Sequence, residues 1–158
     1  MGGRRCWMTK GRVVLCAILL AGLLAGRGGF IAHAGPLYGV VDDGIPIPLT
    51  DFAGDPLEGR QVAGSRSQGN CLACHTLPIP KERDHGQIGP DLGSVGARLS
   101  EAQLRLKVVN PKVTAPGTIM PAYYRTEGLN HVAPDKVGKT ILSAQDVEDI
   151  VAYLMTLR

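Results

Sequence analysis

The clearest candidates for chemistry are two cysteines and a histidine in the segment Cys71-Leu72-Ala73-Cys74-His75. This C-x-x-C-H spacing is the attachment sequence for c-type haem. Positions three apart lie on one face of a helical turn, so both thiols can reach the vinyl groups along one porphyrin edge, and the adjacent imidazole can reach the iron. The segment therefore predicts one covalently bound haem c, with Cys71 and Cys74 as its thiols and His75 as an iron ligand.

Three other interpretations of this segment are open. A thioredoxin-like redox pair requires alternating strands and helices, but no stretch shows the sustained period-two alternation that predicts strands. A structural zinc site requires four protein ligands, and outside this segment the chain offers only His85, His131 and scattered carboxylates. The third is a chance match in a structural turn. The haem interpretation is favoured because the chain carries export features and, once these are removed, has no other cysteine.

The iron needs a second axial donor, and the candidates outside the export segment are Met120, Met155, His85 and His131. Met120 is favoured because it lies in Pro116-Gly117-Thr118-Ile119-Met120-Pro121, where prolines and a glycine can hold a loop in one shape. Met155 lies on a predicted apolar helix, where methionine is more often core filler. The two histidines lie among polar neighbours, where contact with solvent is the default.

The segment Gly89-Pro90-Asp91-Leu92 is a candidate second contact for His75. A ligating histidine usually donates its other ring N–H to a carbonyl, which fixes the tautomer and raises the basicity of the ligand. We predict that the Pro90 carbonyl accepts this hydrogen bond. The alternative is that Gly-Pro simply makes a turn.

Export features occupy the first 34 residues. Basic residues without acids precede an apolar run over residues 13–26, and small residues follow, ending in Ala32-His33-Ala34. The pattern is typical of a cleaved signal peptide, and the run is shorter than the ~20 residues that a spanning helix needs. We therefore predict cleavage after residue 34, a periplasmic location and no membrane anchor in the mature chain. An uncleaved N-terminal anchor is the alternative.

Cleavage changes the charge and the cysteine content. The precursor has a formal net charge of +3, whereas the remaining 124 residues carry twelve Lys and Arg against fourteen Asp and Glu. The mature charge of −2 gives no reason to expect nucleic acid or a membrane as a partner. Cys6 and Cys16 leave with the signal, so a disulfide framework is excluded.

The mature chain is predicted to be all-α, with long loops around the haem. Residues 35–54, rich in proline and glycine, are predicted as an extended N-terminal arm, and residues 55–158 as one domain. A short helical turn carries residues 71–75. Capping signals predict three longer helices: one from Asp55 to about Gln68, one from Ser100 to just before Asn110-Pro111, and one from Ser143.

Three features together resemble class I cytochromes c. They are the attachment segment with its preceding Gly69-Asn70, the loop at residues 89–92, and a methionine loop followed by a helix. That resemblance implies first and last helices that cross over the haem. Gly59 and Ala63 on the first helix, opposite Ala152 and Tyr153 on the last, are compatible with a close crossing.

A narrower resemblance, over about residues 55–158, is to the SoxX subunits of SoxAX cytochrome complexes. It is carried by Asn110-Pro111 and by residues 120–130 and 144–154. It implies a heterodimer with a larger SoxA-type cytochrome, whose modified cysteine joins thiosulfate oxidatively to the cysteine of a carrier protein, as an L-cysteine S-thiosulfotransferase. The chain would then supply a haem held by Cys71, Cys74, His75 and Met120, contribute no catalytic residue, and pass electrons to a downstream acceptor.

The alternative function is a freely diffusing periplasmic electron shuttle to an oxidase or a dehydrogenase. The acidic mature charge disfavours electrostatic steering to an acidic docking site. A stable complex would more readily use an apolar surface, and the candidate is Pro121-Ala122-Tyr123-Tyr124. The same segment could also be a loop that covers the haem and keeps water out, and the two interpretations do not exclude each other.

Overall fold

The computed structural model describes residues 36–80, 82 and 84–158. Over these residues, loops and three short 3-10 turns connect four α-helices: α1 (Pro56–Gly64), α2 (Val95–Arg98), α3 (Glu101–Val109) and α4 (Ala144–Thr156). No strand occurs in these ranges, which confirms the all-α prediction. No helix within them is both long and apolar enough to cross a membrane. The predicted signal peptide lies outside the described residues.

Side-chain caps determine where the three longer helices begin. The Asp55 carboxylate accepts hydrogen bonds from the first-turn amides of α1, and a proline follows it at the first helical position. Ser100 with Gln103, and Ser143 with Asp146, form complete capping boxes at the starts of α3 and α4. The starts of both helices were predicted from capping signals, and both are confirmed.

Helix α1 ends at Gly64, four residues before its predicted end. The next residues are polar, so a longer helix would have no apolar side chain to bury there. The chain turns back instead: the Gly69 amide donates to the Val62 carbonyl at 3.1 Å, and the Asn70 amide to the Ser65 carbonyl at 2.9 Å. Asn70 takes a left-handed φ of 48°, which a short polar side chain tolerates. The turn leads directly into the cysteine segment.

Helices α1 and α4 make backbone contact at Gly59. A Cβ atom at this position would overlap the carbonyl oxygen of Asp149. Ala63, one turn further along α1, is fully buried. The close crossing is therefore present, but the contact at Gly59 lies at Asp149, earlier on α4 than the predicted Ala152 and Tyr153.

Residues 36–54 contain no helix and pack against α3 and α4. Ile45 is fully buried, and its amide donates to the Ala102 carbonyl at 2.9 Å. The Leu49 amide donates to the Glu148 carboxylate at 2.9 Å. The backbone of this segment is thus hydrogen-bonded to both helices.

Arg105, the largest fully buried side chain in the described residues, holds the segment in place. Its Nε and Nη2 donate to the Glu148 carboxylate at 2.8 and 2.9 Å, and its Nη1 donates to the Ile45 carbonyl at 2.7 Å. Glu101 also pairs with it. Burial would lower the pKa of Arg105, but hydrogen bonds to Glu148 and Glu101 outweigh that effect and raise it. The paired guanidinium stays charged and joins α3, α4 and residues 36–54.

Replacing Gly59 by alanine is expected to destabilise the haem-containing protein by about 1–3 kcal/mol, because the new methyl group must push α1 away from α4. The overlap outweighs the gain in helix propensity of about 0.5–1 kcal/mol. Chemical denaturation gives the free energy of unfolding. Gly39→Ala is the control, since a Cβ there meets no atom within 4 Å. Equal unfolding midpoints for the two variants would contradict a close crossing.

Candidate functional site

The cysteine segment forms a single 3-10 turn over Cys71–Ala73. The Cys74 and His75 amides both donate to the Cys71 carbonyl, at 3.1 and 2.9 Å. This turn aligns the two free thiols on the wall of one cavity. Burial raises the pKa of the Cys71 thiol to about 11, so this group keeps its proton at neutral pH.

The His75 ring is fixed by a loop that follows it in the chain. Its Nδ1 lies 2.7 Å from the Pro90 carbonyl oxygen, which can only accept a hydrogen bond. Nδ1 therefore carries the proton, and Nε2 keeps a free lone pair. Gly89 allows the loop to approach, because a Cβ there would overlap the imidazole. The carbonyl contact is the one predicted for Pro90.

A cavity of about 490 Å³ lies beside these groups. Helices α3 and α4 supply apolar walls, including Leu104, Val108, Ile150 and Leu154. Met120 lines the same cavity, together with the cysteines, His75 and Pro90. The structure thus brings all five predicted site residues, which are spread over fifty positions of sequence, to one apolar space.

The loop that carries Met120 is tied to the attachment segment. The buried Tyr123 hydroxyl donates to the Gly69 carbonyl at 2.7 Å, two residues before Cys71. Burial raises the pKa of Tyr123, so its hydroxyl remains a donor. The Met120 amide donates to the Thr118 hydroxyl at 3.2 Å. The Tyr123 contact joins the methionine loop to the attachment segment, and the Met120 contact holds the loop locally.

The other candidate axial donors lie elsewhere. The Leu77 amide donates to His85 Nδ1 at 3.1 Å, so the opposite nitrogen is protonated and donates to the Glu82 carbonyl at 3.0 Å. His131 is exposed, and Met155 packs against the core. None of these three lines the cavity. Among the four candidates, only Met120 does.

The prediction that residues 121–124 form an exposed apolar surface is wrong. Ala122 and Tyr123 are buried, and Tyr124 is half-buried against the core. Burying the aromatic ring and satisfying its hydroxyl within the domain is more favourable than exposing both. Pro121 and Tyr123 line the cavity, which agrees with the other interpretation of this segment, a loop that covers the haem.

Sequence reasoning missed the cationic side chains on the cavity wall. Arg98 of α2 and Lys107 of α3 both line it. Lys107 could have been found, because positions 104, 107 and 108 share one face of the predicted helix. Arg98 could not, since α2 is a single turn without a periodic signal.

Comparisons with known proteins agree with this geometry. A sequence model of the family described as Cytochrome c matches residues 58–158. A chain in the crystal structure of SoxXA from P. pantotrophus is similar, with a TM-score of 0.72 and 38% identity, over 78% of this chain and 97% of that chain. No curated protein matched the sequence. These findings confirm the resemblance that was read from the residues.

Replacing Gly89 by alanine is expected to displace the His75 ring and to cost about 1–3 kcal/mol of stability, because the new methyl group overlaps the imidazole. Pro90→Ala is the matched control, since it retains the backbone carbonyl that His75 contacts. Denaturation midpoints and the absorption spectrum of the haem-containing protein measure both effects. A larger loss in Pro90→Ala than in Gly89→Ala would contradict this account of the loop.

Proposed function

Because this chain belongs to the cytochrome c family, we propose that it is the electron-transfer subunit of a periplasmic thiosulfate-oxidising complex. In this proposal Cys71 and Cys74 hold one haem c covalently, and His75 and Met120 are the axial ligands of its iron. A haem bound there supplies one-electron transfer. The chain itself contributes no catalytic residue to the thiosulfate reaction.

The donor groups around the cavity fit such a haem. The two thiols share one wall, and His75 offers Nε2 because the proton on Nδ1 is engaged by Pro90. The cavity volume lies within the ~300–1,000 Å³ typical of cofactor sites. The hydrogen bond from His75 to Pro90 supports the proposal most directly, because a ligating histidine usually makes this contact.

The protein's own role is to hold both ligands still and to keep water away. Leu104, Ile150 and Leu154 form apolar walls, and Tyr123 ties the Met120 loop to the attachment turn. With His75 and Met120 both holding the iron, a bound haem would have no free position for a substrate. Methionine ligation also raises the reduction potential above that of a bis-histidine site. These features favour electron transfer over catalysis at this haem.

The proposed partner is a larger SoxA-type cytochrome. The similar solved structure is titled SoxXA, and the likeness extends over 97% of the matched chain. After residue 34 this chain has no cysteine except Cys71 and Cys74. Oxidative coupling of thiosulfate to a carrier-protein cysteine therefore needs a reactive cysteine on the partner, and the electrons leave through this subunit to a downstream acceptor.

Met120→Ala is expected to leave the haem attached but to lower its reduction potential and open the iron to added imidazole, because the weak thioether ligand is lost. Potentiometric titration and the ferric spectrum measure the change. Met155→Ala is the matched control, since Met155 lies outside the cavity wall. An unchanged potential and spectrum in Met120→Ala would place the ligand elsewhere.

Partnership is tested by placing a tag after Arg158, which is exposed, and purifying the protein from its host grown with thiosulfate. We expect a larger haem-containing chain to co-purify in a fixed ratio. Adding thiosulfate and carrier protein should reduce this chain's haem in the purified complex but not in the isolated subunit. A lone haem-containing monomer would favour the diffusing shuttle and contradict the complex.

A further inference from the structure

Lys112 contacts the backbone on both sides of Ile119 in the methionine loop. Its ammonium donates to the Met120 carbonyl at 2.9 Å and to the Thr118 carbonyl at 3.2 Å. The side chain is half-buried, which protects these contacts from competition by water. A single cation thus contacts the backbone carbonyl of Met120, the proposed thioether ligand, and the carbonyl of Thr118, two residues earlier.

The two carbonyls have no backbone donor within the part of the chain that is described. The Thr118 amide donates to the Ala115 carbonyl, and the Met120 amide donates to the Thr118 hydroxyl, but no amide reaches the carbonyl oxygen of Thr118 or Met120. The loop lacks helical hydrogen bonds that would fix these peptide planes. Lys112 supplies that constraint through charge-assisted hydrogen bonds, which are stronger than neutral ones.

Lys112 is itself held by rigid structure. It lies in the 3-10 turn Pro111–Val113, directly after α3. Pro111 is buried and lines the cavity, and the backbone N–H of the buried Asn110 donates to the Leu106 carbonyl at 2.9 Å, which ends α3. The ammonium therefore connects the loop to a fixed point at the cavity wall.

We propose that Lys112 is a positioning residue for the distal ligand, and that its two hydrogen bonds keep the Met120 thioether on the iron in both oxidation states. The inference rests on the proposed ligand set of His75 and Met120. An electron carrier needs the same ligands before and after transfer, because a ligand that dissociates on oxidation changes the potential and slows the return electron. Lys112 makes the loop rigid enough for a weak ligand to stay bound.

A second lysine shows why this role is specific. Lys107 contacts the residue that ends the 3-10 turn, through a 2.6 Å hydrogen bond to the Thr114 hydroxyl. That contact lies six residues before Met120 and engages a side chain, so it leaves the peptide planes at residues 118 and 120 unconstrained. Among the described residues, Lys112 alone bridges the Thr118 carbonyl and the carbonyl of Met120, the proposed ligand.

The experiment measures imidazole binding to the ferric holoprotein, since imidazole binds the iron only when the thioether leaves. Lys112→Met is expected to bind imidazole about tenfold more tightly than the parent, because hydrogen bonds to a charged group shift an equilibrium by about that factor. The sulfur-to-iron charge-transfer band should weaken in the same variant. Lys112→Arg, which keeps the charge and the donors, should restore most of the parent behaviour. If Lys112→Met yields no holoprotein, Lys112→Gln is measured in its place.

Two controls separate the outcomes. Lys139→Met removes the same charge at an exposed position, and an equal rise in imidazole affinity there would overturn the positioning role in favour of net charge. Met120→Ala gives the imidazole affinity of an iron that has lost the thioether ligand. If Met120→Ala opens the iron but Lys112→Met does not, the Lys112 inference fails and the ligand set stands. If Met120→Ala changes nothing, the ligand set itself fails.

Discussion

The backbone contact between α1 and α4 at Gly59 is the constraint on which the cavity depends. Helix α1 leads through one turn into Cys71 and Cys74, and α4 supplies Ile150 and Leu154 to the wall of the same cavity. The crossing of the two helices therefore helps to set where these groups lie around the cavity. A side chain at position 59 would overlap the Asp149 carbonyl and widen the crossing, which would shift the thiols relative to the apolar surface.

The parts of the fold and the site that could be predicted from the sequence follow from short-range rules. Capping boxes placed the starts of α3 and α4, because each box is complete within four residues. The C-x-x-C-H spacing placed two thiols and an imidazole together for the same reason. The His75 contact with Pro90 spans fifteen residues, yet it follows from the need of a ligating histidine for an acceptor.

The features that escaped prediction depend on contacts distant in sequence. In the sequence, Arg105 is one more charged residue on α3. Its burial against Glu148 follows only from the packing of α3 on α4, which the sequence pattern does not give. Tyr123 was predicted to lie on an exposed surface, but its hydroxyl donates to the Gly69 carbonyl inside the domain. Lys112 carries no periodic signal, because its partners are carbonyl oxygens, which every residue has. Sequence patterns report side-chain type well, but they do not report which backbone groups lack a partner.

The attachment of residues 36–54 by Arg105 and Glu148 has a consequence for the local dynamics of the protein. Segments without secondary structure of their own usually open at almost no free-energy cost and expose sites for proteolysis. Here, peeling the segment away would break the Leu49 amide contact and leave a buried guanidinium without the Ile45 carbonyl. Opening the segment therefore costs more free energy than opening a segment without such contacts, and we expect proteases to cut it more slowly.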